Sequence, residues 1–192
     1  MALIGCGVQA RAHLEALRSE FPIGTVRVLG RRRASAEAFV RECAGKMLDL
    51  EVADTPDATL READIVVSTI PAQRDLAAFL DARLLPEGAT ALMVDVARSW
   101  IPDSFGIFAR CYTDDAEQSR ALASSNPSFE ALRFDTDLAG LVSGRAAGRR
   151  GDAERLCFAY AGSAIADVAV AAVLLKAARE TRRGLELPSR AA

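Results

Sequence analysis

The spacing of three small residues after the first apolar run constrains this chain most strongly. Gly5 and Gly7 follow the apolar Met1–Ile4 with one residue between them, and Ala10 stands three residues further on. An amphipathic pattern then begins, so the order of strand, tight turn and helix fits a G-x-G-x-x-G/A motif. Gly5 permits the sharp turn, Gly7 places no side chain between the backbone and a phosphate, and Ala10 lets helix and strand pack closely. The motif predicts that a dinucleotide pyrophosphate binds at the helix N-terminus, although a buried strand-turn-helix without a ligand has the same pattern.

Alternating strand and helix patterns follow this motif. We predict strands over 25–29, 51–53, 63–70 and 91–96, an edge strand over 111–113, and helices over 10–20, 35–43, 76–84 and 114–123. The continuous apolar runs are typical of parallel strands that are covered on both faces. The chain is therefore predicted to be an α/β protein with a doubly wound, mostly parallel Rossmann sheet, which favours the dinucleotide interpretation.

The last part of the chain has a different character. Residues 124–128 predict a loop, 137–142 a short helix, and 144–151 a flexible basic connection. An alanine-rich helix over 163–182 has an apolar face that is broad for a surface helix, so we expect it to pack on another element. We predict a nucleotide-binding domain over 1–158 and a C-terminal helical appendage over 159–192.

Composition and charge exclude several classes of protein. The 24 basic and 26 acidic residues give a net charge of -2, which provides no extended field for nucleic acid. The four cysteines are far apart and the chain has one histidine, so we expect neither a metal site nor a disulfide framework. No apolar stretch reaches about 20 residues and no basic leader precedes the first strand, so we expect no membrane span and a cytoplasmic location.

The residues after the second predicted strand bear on cofactor choice. An Asp or Glu at this point of a dinucleotide site binds the ribose hydroxyl of NAD, whereas a small residue followed by Arg accommodates the 2′-phosphate of NADP. Here Gly30 is followed by Arg31, Arg32 and Arg33. We therefore predict NADP(H) rather than NAD(H), with Arg31 and Arg32 as phosphate ligands. A solvated basic turn is the alternative interpretation.

A few further residues stand near the predicted cofactor site. Ser68 and Thr69 end a strand at the carboxyl edge of the sheet, where they bond either a cofactor or the local backbone. His13 follows the glycine loop by one turn and is either a ligand contact or a surface histidine. Cys6 lies inside the loop, where either activation by the helix N-terminus or its small size explains it.

Three blocks of sequence together resemble a known family. They are residues 4–17 (IGCGVQARAHLEAL), 63–72 (ADIVVSTIPA) and 161–171 (AGSAIADVAVA), and in order and spacing they are similar to the ornithine cyclodeaminase/mu-crystallin family. The resemblance runs over nearly the whole chain and corresponds to the latter part of a typical member. The family's amino-terminal region, which builds most of the substrate and dimerisation domain, has no counterpart here.

The resemblance implies a set of cofactor-binding residues. They are the pyrophosphate loop, the turn that contacts the ribose, the loop near the nicotinamide and a late helix: Gly5, Gly7, Val8 and Gln9; Gly30 and Arg31; Thr69 and Pro71; Ala164 and Asp167. Ser99 stands where cyclodeaminases carry a catalytic Asp, with Asp95 four residues earlier. A serine does not act as a carboxylate base near neutral pH, so cyclodeaminase chemistry is not expected and no catalytic residue is assigned.

Two functional hypotheses follow. In the first, the chain is the NADP(H)-binding domain of an oxidoreductase that acts on an amino acid or on an imine or keto acid, and it works as a homodimer or with a missing amino-terminal half. In the second, it is a non-catalytic dinucleotide-binding protein or a truncated partner subunit without its own substrate site.

Overall fold

The computed structural model describes residues 1–44, 49–71 and 76–185. The strands are β1 (Ala2–Ile4), β2 (Thr25–Leu29), β3 (Asp49–Val52), β4 (Ile65–Ser68), β5 (Thr90–Met93), β6 (Arg110–Thr113), β7 (Thr136–Asp137) and β8 (Leu156–Ala159). The α-helices are α1 (Val8–Glu20), α2 (Arg33–Cys43), α3 (Pro56–Arg61), α4 (Ala116–Ala123), α5 (Pro127–Ala131), α6 (Leu138–Val142) and α7 (Ala164–Thr181). Short 3-10 helices span Ala82–Leu84 and Pro102–Ile107.

These strands form one sheet in the order β3-β2-β1-β4-β5-β8-β6-β7, and each pair of neighbours is parallel. The order reverses between β1 and β4, because β2 and β3 lie on one side of β1 and the later strands on the other. Ile4 pairs with Leu29 of β2 and with Ser68 of β4, so three strands end at the same level. Ligands of open α/β sheets bind in the crevice outside such a switch point.

Both faces of the sheet are covered, which explains the continuous apolar runs in the sequence. Consecutive residues of a strand point to opposite faces. Ile4 of β1 belongs to one core cluster with Leu60 of α3, whereas Leu3 belongs to the other with Leu14 of α1 and Phe39 of α2. The doubly wound Rossmann sheet is therefore confirmed.

Some predicted elements differ from those observed. The strand predicted over 111–113, observed as β6, is not at the edge of the sheet, because β7 is the outermost strand on that side. On its other side, β8 separates β6 from β5. No strand is predicted at β8, a four-residue segment that becomes part of the sheet by pairing with β5 and β6.

The helix predicted over 76–84 is also wrong for most of its described length. Only Ala82–Leu84 is helical, because the backbone N–H groups of Phe79 and Leu80 donate to the carbonyl of Ser99 instead of to a helix. Leu80 pairs with Trp100 as a short parallel bridge. Residues 72–75, the first of which ends the second sequence block (63–72), lie outside the described residues.

The chain divides into two compact units, Met1–Ala161 and Gly162–Ala192. Helix α7 belongs to the second unit, begins after Ser163 and ends before Arg182, as the sequence predicts. Its side chains include exposed apolar residues: Ile165, Val168, Val170, Val173, Leu174 and Leu175. Among the described residues, no helix has the length and apolar character needed to cross a membrane.

Candidate functional site

The turn after β1 requires glycine at its first position. Gly5 has φ +111°, and a Cβ built on it would lie 2.5 Å from the Thr69 side-chain oxygen. The Gly5 N–H donates to the carbonyl of Leu29, and the Thr69 N–H donates to the carbonyl of Ile4. The ends of β1, β2 and β4 are thereby held together at the start of the loop.

Helix α1 begins at this loop with an open N-terminus. Gly7 is the N-cap residue, no side chain caps the helix, and a Cβ on Gly7 would meet no atom within 4 Å. The first turn contains no acidic residue, so the free N–H groups and the positive end of the helix dipole have no partner there. Val8 and Gln9 form this first turn and are exposed. This is the geometry that an anion such as a pyrophosphate requires.

A cavity of about 500 Å³ lies outside the switch point. Its described lining consists of residues from the ends of β1 and β2, from the segments that follow β1, β2 and β4, and from the start of α3: Ile4, Gly5, Cys6, Gly7, Leu29, Gly30, Arg31, Arg32, Ser35, Pro56, Ile70, Pro71, Leu76 and Phe79. Six of the predicted site residues, Gly5, Gly7, Gly30, Arg31, Arg32 and Pro71, are thus brought to one cavity.

The wall after β2 has no space for an acidic side chain. A Cβ on Gly30 would lie 2.8 Å from the Cys6 sulfur and 3.1 Å from the carbonyl oxygen of Arg32. Arg31 and Arg32 line the cavity, are exposed, and form no ion pair within the described ranges. Arg33 is different, because its guanidinium pairs with Glu37 and Asp54. Two of the three consecutive arginines therefore remain available for a ligand.

The opposite wall comes from β4 and from the segment before the first 3-10 helix. Ile70 and Pro71 line the cavity together with Leu76 and Phe79. Thr69 is not part of the lining, and its hydroxyl donates to the carbonyl of Ile4 at 3.3 Å. Of the two sequence interpretations of Thr69, the local backbone bond is the one observed.

A buried carboxylate lies behind this wall. Asp95, which follows β5, is 6% exposed, and it accepts hydrogen bonds from the Ser68 hydroxyl at 2.8 Å and the Ser99 hydroxyl at 2.5 Å. Burial raises the pKa of Asp95 above its usual value of 3.8, and the bonds from the serines oppose that rise. Trp100 Nε1 donates to Ser68 Oγ at 2.9 Å and extends the network.

Other predicted residues have different surroundings. Ala164 and Asp167 belong to the second unit and are exposed in the first turn of α7. His13 Nδ1 donates to the carbonyl of Gln9, a bond within α1, which supports the surface interpretation. Cys6 lines the cavity, and burial raises the pKa of its thiol, which disfavours an activated thiolate.

Sequence reasoning missed part of the cavity wall. The helix predicted over 35–43 begins two residues earlier, after the N-cap residue Arg32, and Ser35 lines the cavity from its first turn. Pro56, Leu76 and Phe79 also carried no sequence signal, because apolar residues of this kind are equally suited to a core. Their position at the cavity depends on pairing between distant segments.

The sequence matches the model of a known protein family. The sequence model of the ornithine cyclodeaminase/mu-crystallin family matches residues 1–182. An alanine dehydrogenase from Archaeoglobus fulgidus is 29% identical, and the match covers 96% of this chain and 58% of that protein.

Solved structures of similar proteins have the same fold. An archaeal alanine dehydrogenase dimer with bound NAD superposes with a TM-score of 0.81 at 27% identity, covering 97% of this chain and 59% of that one. A lysine cyclodeaminase, whose structure concerns recognition of L-lysine, L-ornithine and L-2,4-diaminobutyric acid, superposes with a TM-score of 0.80 at 26% identity, covering 96% and 54%. The chain thus spans less than two thirds of the length of these relatives.

The two glycines of the loop are expected to respond differently to alanine. Gly5→Ala places a side chain at a positive φ and against Thr69, so the free energy of unfolding should fall by at least about 2 kcal/mol. Gly7→Ala meets open space and should cost less than about 1 kcal/mol. Urea unfolding, followed by the fluorescence of the single tryptophan, Trp100, measures both. Equal losses in the two variants would contradict this account of the turn.

The buried Asp95 is expected to make stability depend on pH. Because burial raises its pKa in the folded chain, the unfolded chain loses this proton first as the pH rises above 3.8. The stability of the wild type relative to Asp95→Asn should therefore fall with rising pH and become constant above the folded-state pKa. Urea unfolding of both proteins at several pH values tests this sign. If the free energy of unfolding of the wild type rises with pH relative to that of Asp95→Asn, the prediction is wrong.

Proposed function

Since the chain belongs to the ornithine cyclodeaminase/mu-crystallin family, we propose that it is the NADP(H)-binding domain of an oxidoreductase that acts on an amino acid or on an imine or keto acid. The cavity at the switch point of the sheet is the proposed cofactor site. The proposed ligands in the first unit are Gly5, Gly7, Val8, Gln9, Gly30, Arg31, Arg32, Thr69 and Pro71. Ala164 and Asp167, which belong to the second unit, stay predictions from the family resemblance. When bound, the cofactor would supply a hydride at its nicotinamide ring.

One observation carries the proposal: the uncapped N-terminus of α1 lies at the cavity, and its N-cap residue, Gly7, lines the cavity without a side chain. The peptide N–H groups of α1 supply donors to a pyrophosphate, and the helix dipole favours its negative charge. The apolar lining from Ile4, Leu29 and Ile70 suits the flat rings of a dinucleotide.

The preference for NADP(H) is supported by the residues that follow β2. The missing side chain at Gly30 removes the acid that would bind the NAD ribose, and Cys6 leaves no space for one. Arg31 and Arg32 stand at the same wall with guanidinium groups that match a phosphate bidentately. The similar archaeal alanine dehydrogenase has NAD bound, so we propose that this chain prefers a different cofactor from the one bound in that structure.

The chemistry of the cavity favours binding over turnover by this chain alone. Its described lining contains no carboxylate, imidazole, lysine or phenol to exchange a proton with a substrate. We propose that substrate-binding and acid/base groups come from a further region or from a partner.

Association and location are also proposed. The exposed apolar side chains of α7 are suited to an interface, and the similar alanine dehydrogenase structure is a dimer, so we propose a homodimer or association with an amino-terminal half. The four cysteines are unpaired, which supports a reducing cytoplasm. A non-catalytic dinucleotide-binding protein is the second candidate, and the lining without a proton donor is the observation that favours it.

Calorimetric titration with NADPH and NADH tests the cofactor. NADPH is expected to bind at least about tenfold more tightly, which corresponds to about 1.4 kcal/mol. Arg31→Ala should remove that preference, because the 2′-phosphate loses a guanidinium partner, and should leave the affinity for NADH unchanged.

Arg33→Ala is the matched control for this titration. Arg33 belongs to the same run of arginines but is engaged by Glu37 and Asp54, so its loss should preserve the preference for NADPH. Equal affinity of the wild type for both cofactors would reject the NADP assignment. Failure to bind either would reject the dinucleotide site.

A turnover assay separates the enzyme from the binding protein. The chain alone is expected to bind NADPH without oxidising it when a cyclic imine, or a keto acid with an amine, is supplied, because the described lining has no proton donor of suitable chemistry. Loss of NADPH absorbance measures the reaction, and the same assay without substrate is its control. Rapid oxidation by the isolated chain would show that the acid/base groups lie within it.

A further inference from the structure

Asp95 joins parts of the chain that are distant in sequence. Its carboxylate accepts hydrogen bonds from the hydroxyls of Ser68 and Ser99, and its backbone N–H donates to the carbonyl of Ser68 at 3.2 Å. Ser68 ends β4 and Ile70 lies two residues beyond it, whereas Ser99 belongs to the turn after β5. One buried side chain therefore ties the exit of β4 to the turn that follows β5.

The direction of the Ser68 hydroxyl is fixed by its neighbours. Trp100 Nε1 has only a proton to donate, and it donates to Ser68 Oγ. The Ser68 hydroxyl proton is then directed to Asp95 Oδ1. The carboxylate is consequently surrounded by donors, and an amide at this place would set its own N–H₂ group against some of them.

The turn after β5 in turn holds the second wall of the cavity. The carbonyl of Ser99 accepts the N–H groups of Phe79 and Leu80, each at 2.9 Å, and the Ile101 N–H donates to the carbonyl of Leu80 at 2.9 Å. Phe79 lines the cavity together with Ile70, which lies two residues after Ser68, the residue whose hydroxyl donates to Asp95. Both apolar walls on this side therefore depend on the same carboxylate.

The backbone of the turn after β5 is strained, and a side chain from another segment holds it by a hydrogen bond. Val96 and Ala97 have φ +61° and +56°, a region that side-chain-bearing residues rarely adopt and that is most costly for a β-branched residue. The buried Asn126 side chain donates to the carbonyl of Val96 at 3.0 Å. Strain of this kind persists where the surroundings over-determine a conformation, which is common at functional sites.

We infer that Asp95 is a positioning residue for the nicotinamide half of the cofactor, because its carboxylate sets the separation of the walls formed by Ile70 and Phe79. This inference rests on the proposed function. The end of β2 holds the adenosine ribose in a site of this type, and the pyrophosphate lies at α1. In the proposed binding mode the walls after β4 are assigned to the nicotinamide half, and within the described ranges the hydrogen bonds of the Asp95 carboxylate reach Ser68 and Ser99 and not Arg31.

Fragment binding distinguishes positioning from a general structural role. Calorimetry is carried out on the wild type and on Asp95→Asn with NADPH and with 2′,5′-ADP, which contains only the adenosine half. Asp95→Asn is expected to weaken the affinity for NADPH by about tenfold and to change the affinity for 2′,5′-ADP by less than about twofold. Equal weakening of both ligands, or of neither, would overturn the inference.

Ser119→Ala is the matched control. It removes another buried hydrogen bond of this unit, between the Ser119 and Thr113 hydroxyls at 2.6 Å, and neither residue lines the cavity. Both ligands should bind it as they bind the wild type. If Ser119→Ala reproduces the selective loss of NADPH, the effect is a general consequence of lower stability and the inference fails.

Amide hydrogen exchange provides a readout that needs no ligand. In Asp95→Asn, exchange should accelerate at Phe79 and Leu80, whose N–H groups bond to Ser99, while the amides of β2 remain as slow as in the wild type. Unchanged exchange at Phe79 and Leu80 would overturn the inference. A wild type that binds neither NADPH nor 2′,5′-ADP would overturn the proposed function as well, whereas normal binding by Asp95→Asn would overturn only the role of Asp95.

Discussion

The close approach of Gly5 to Thr69 is the contact on which the rest of this site depends. At this point the backbone of β1 leaves the sheet between β2 and β4, with N–H groups donated from Gly5 to Leu29 and from Thr69 to Ile4. A side chain at Gly5 would both collide with Thr69 and occupy a disfavoured φ. Because the turn is this tight, α1 starts directly above the ends of the strands, and its free N–H groups face the cavity.

The two sides of the cavity are built by different physical means. On the side of β2, the absence of a side chain at Gly30 and the charges of Arg31 and Arg32 define what can bind. On the side of β4, apolar walls are held by hydrogen bonds to a buried carboxylate. Burial raises the pKa of Asp95, so the hydrogen bonds from Ser68 and Ser99 offset only part of the cost of burying the charged carboxylate.

Binding and chemistry are separable in this chain. The described lining of the proposed cofactor site offers guanidinium groups, the N-cap of α1 and apolar surface, and it contains no carboxylate, imidazole, lysine or phenol. Hydride transfer depends mainly on orientation in a desolvated pocket, so a domain that holds and orients the cofactor is useful to an oxidoreductase whose acid/base groups lie elsewhere.

The amino-acid sequence by itself determined the β1-turn-α1 unit, the parallel class of the sheet and the basic turn after β2, because each depends on local spacing: Gly5 and Gly7, the apolar runs, and Gly30 followed by arginines. Only the tertiary structure decided that β8 lies between β5 and β6, that Phe79 and Leu80 pair with the turn at Ser99 instead of forming a helix, and that Asp95 meets Ser68. These features join residues that are distant along the chain, and a serine, an aspartate or a short apolar run carries no local signal of the partner it will meet.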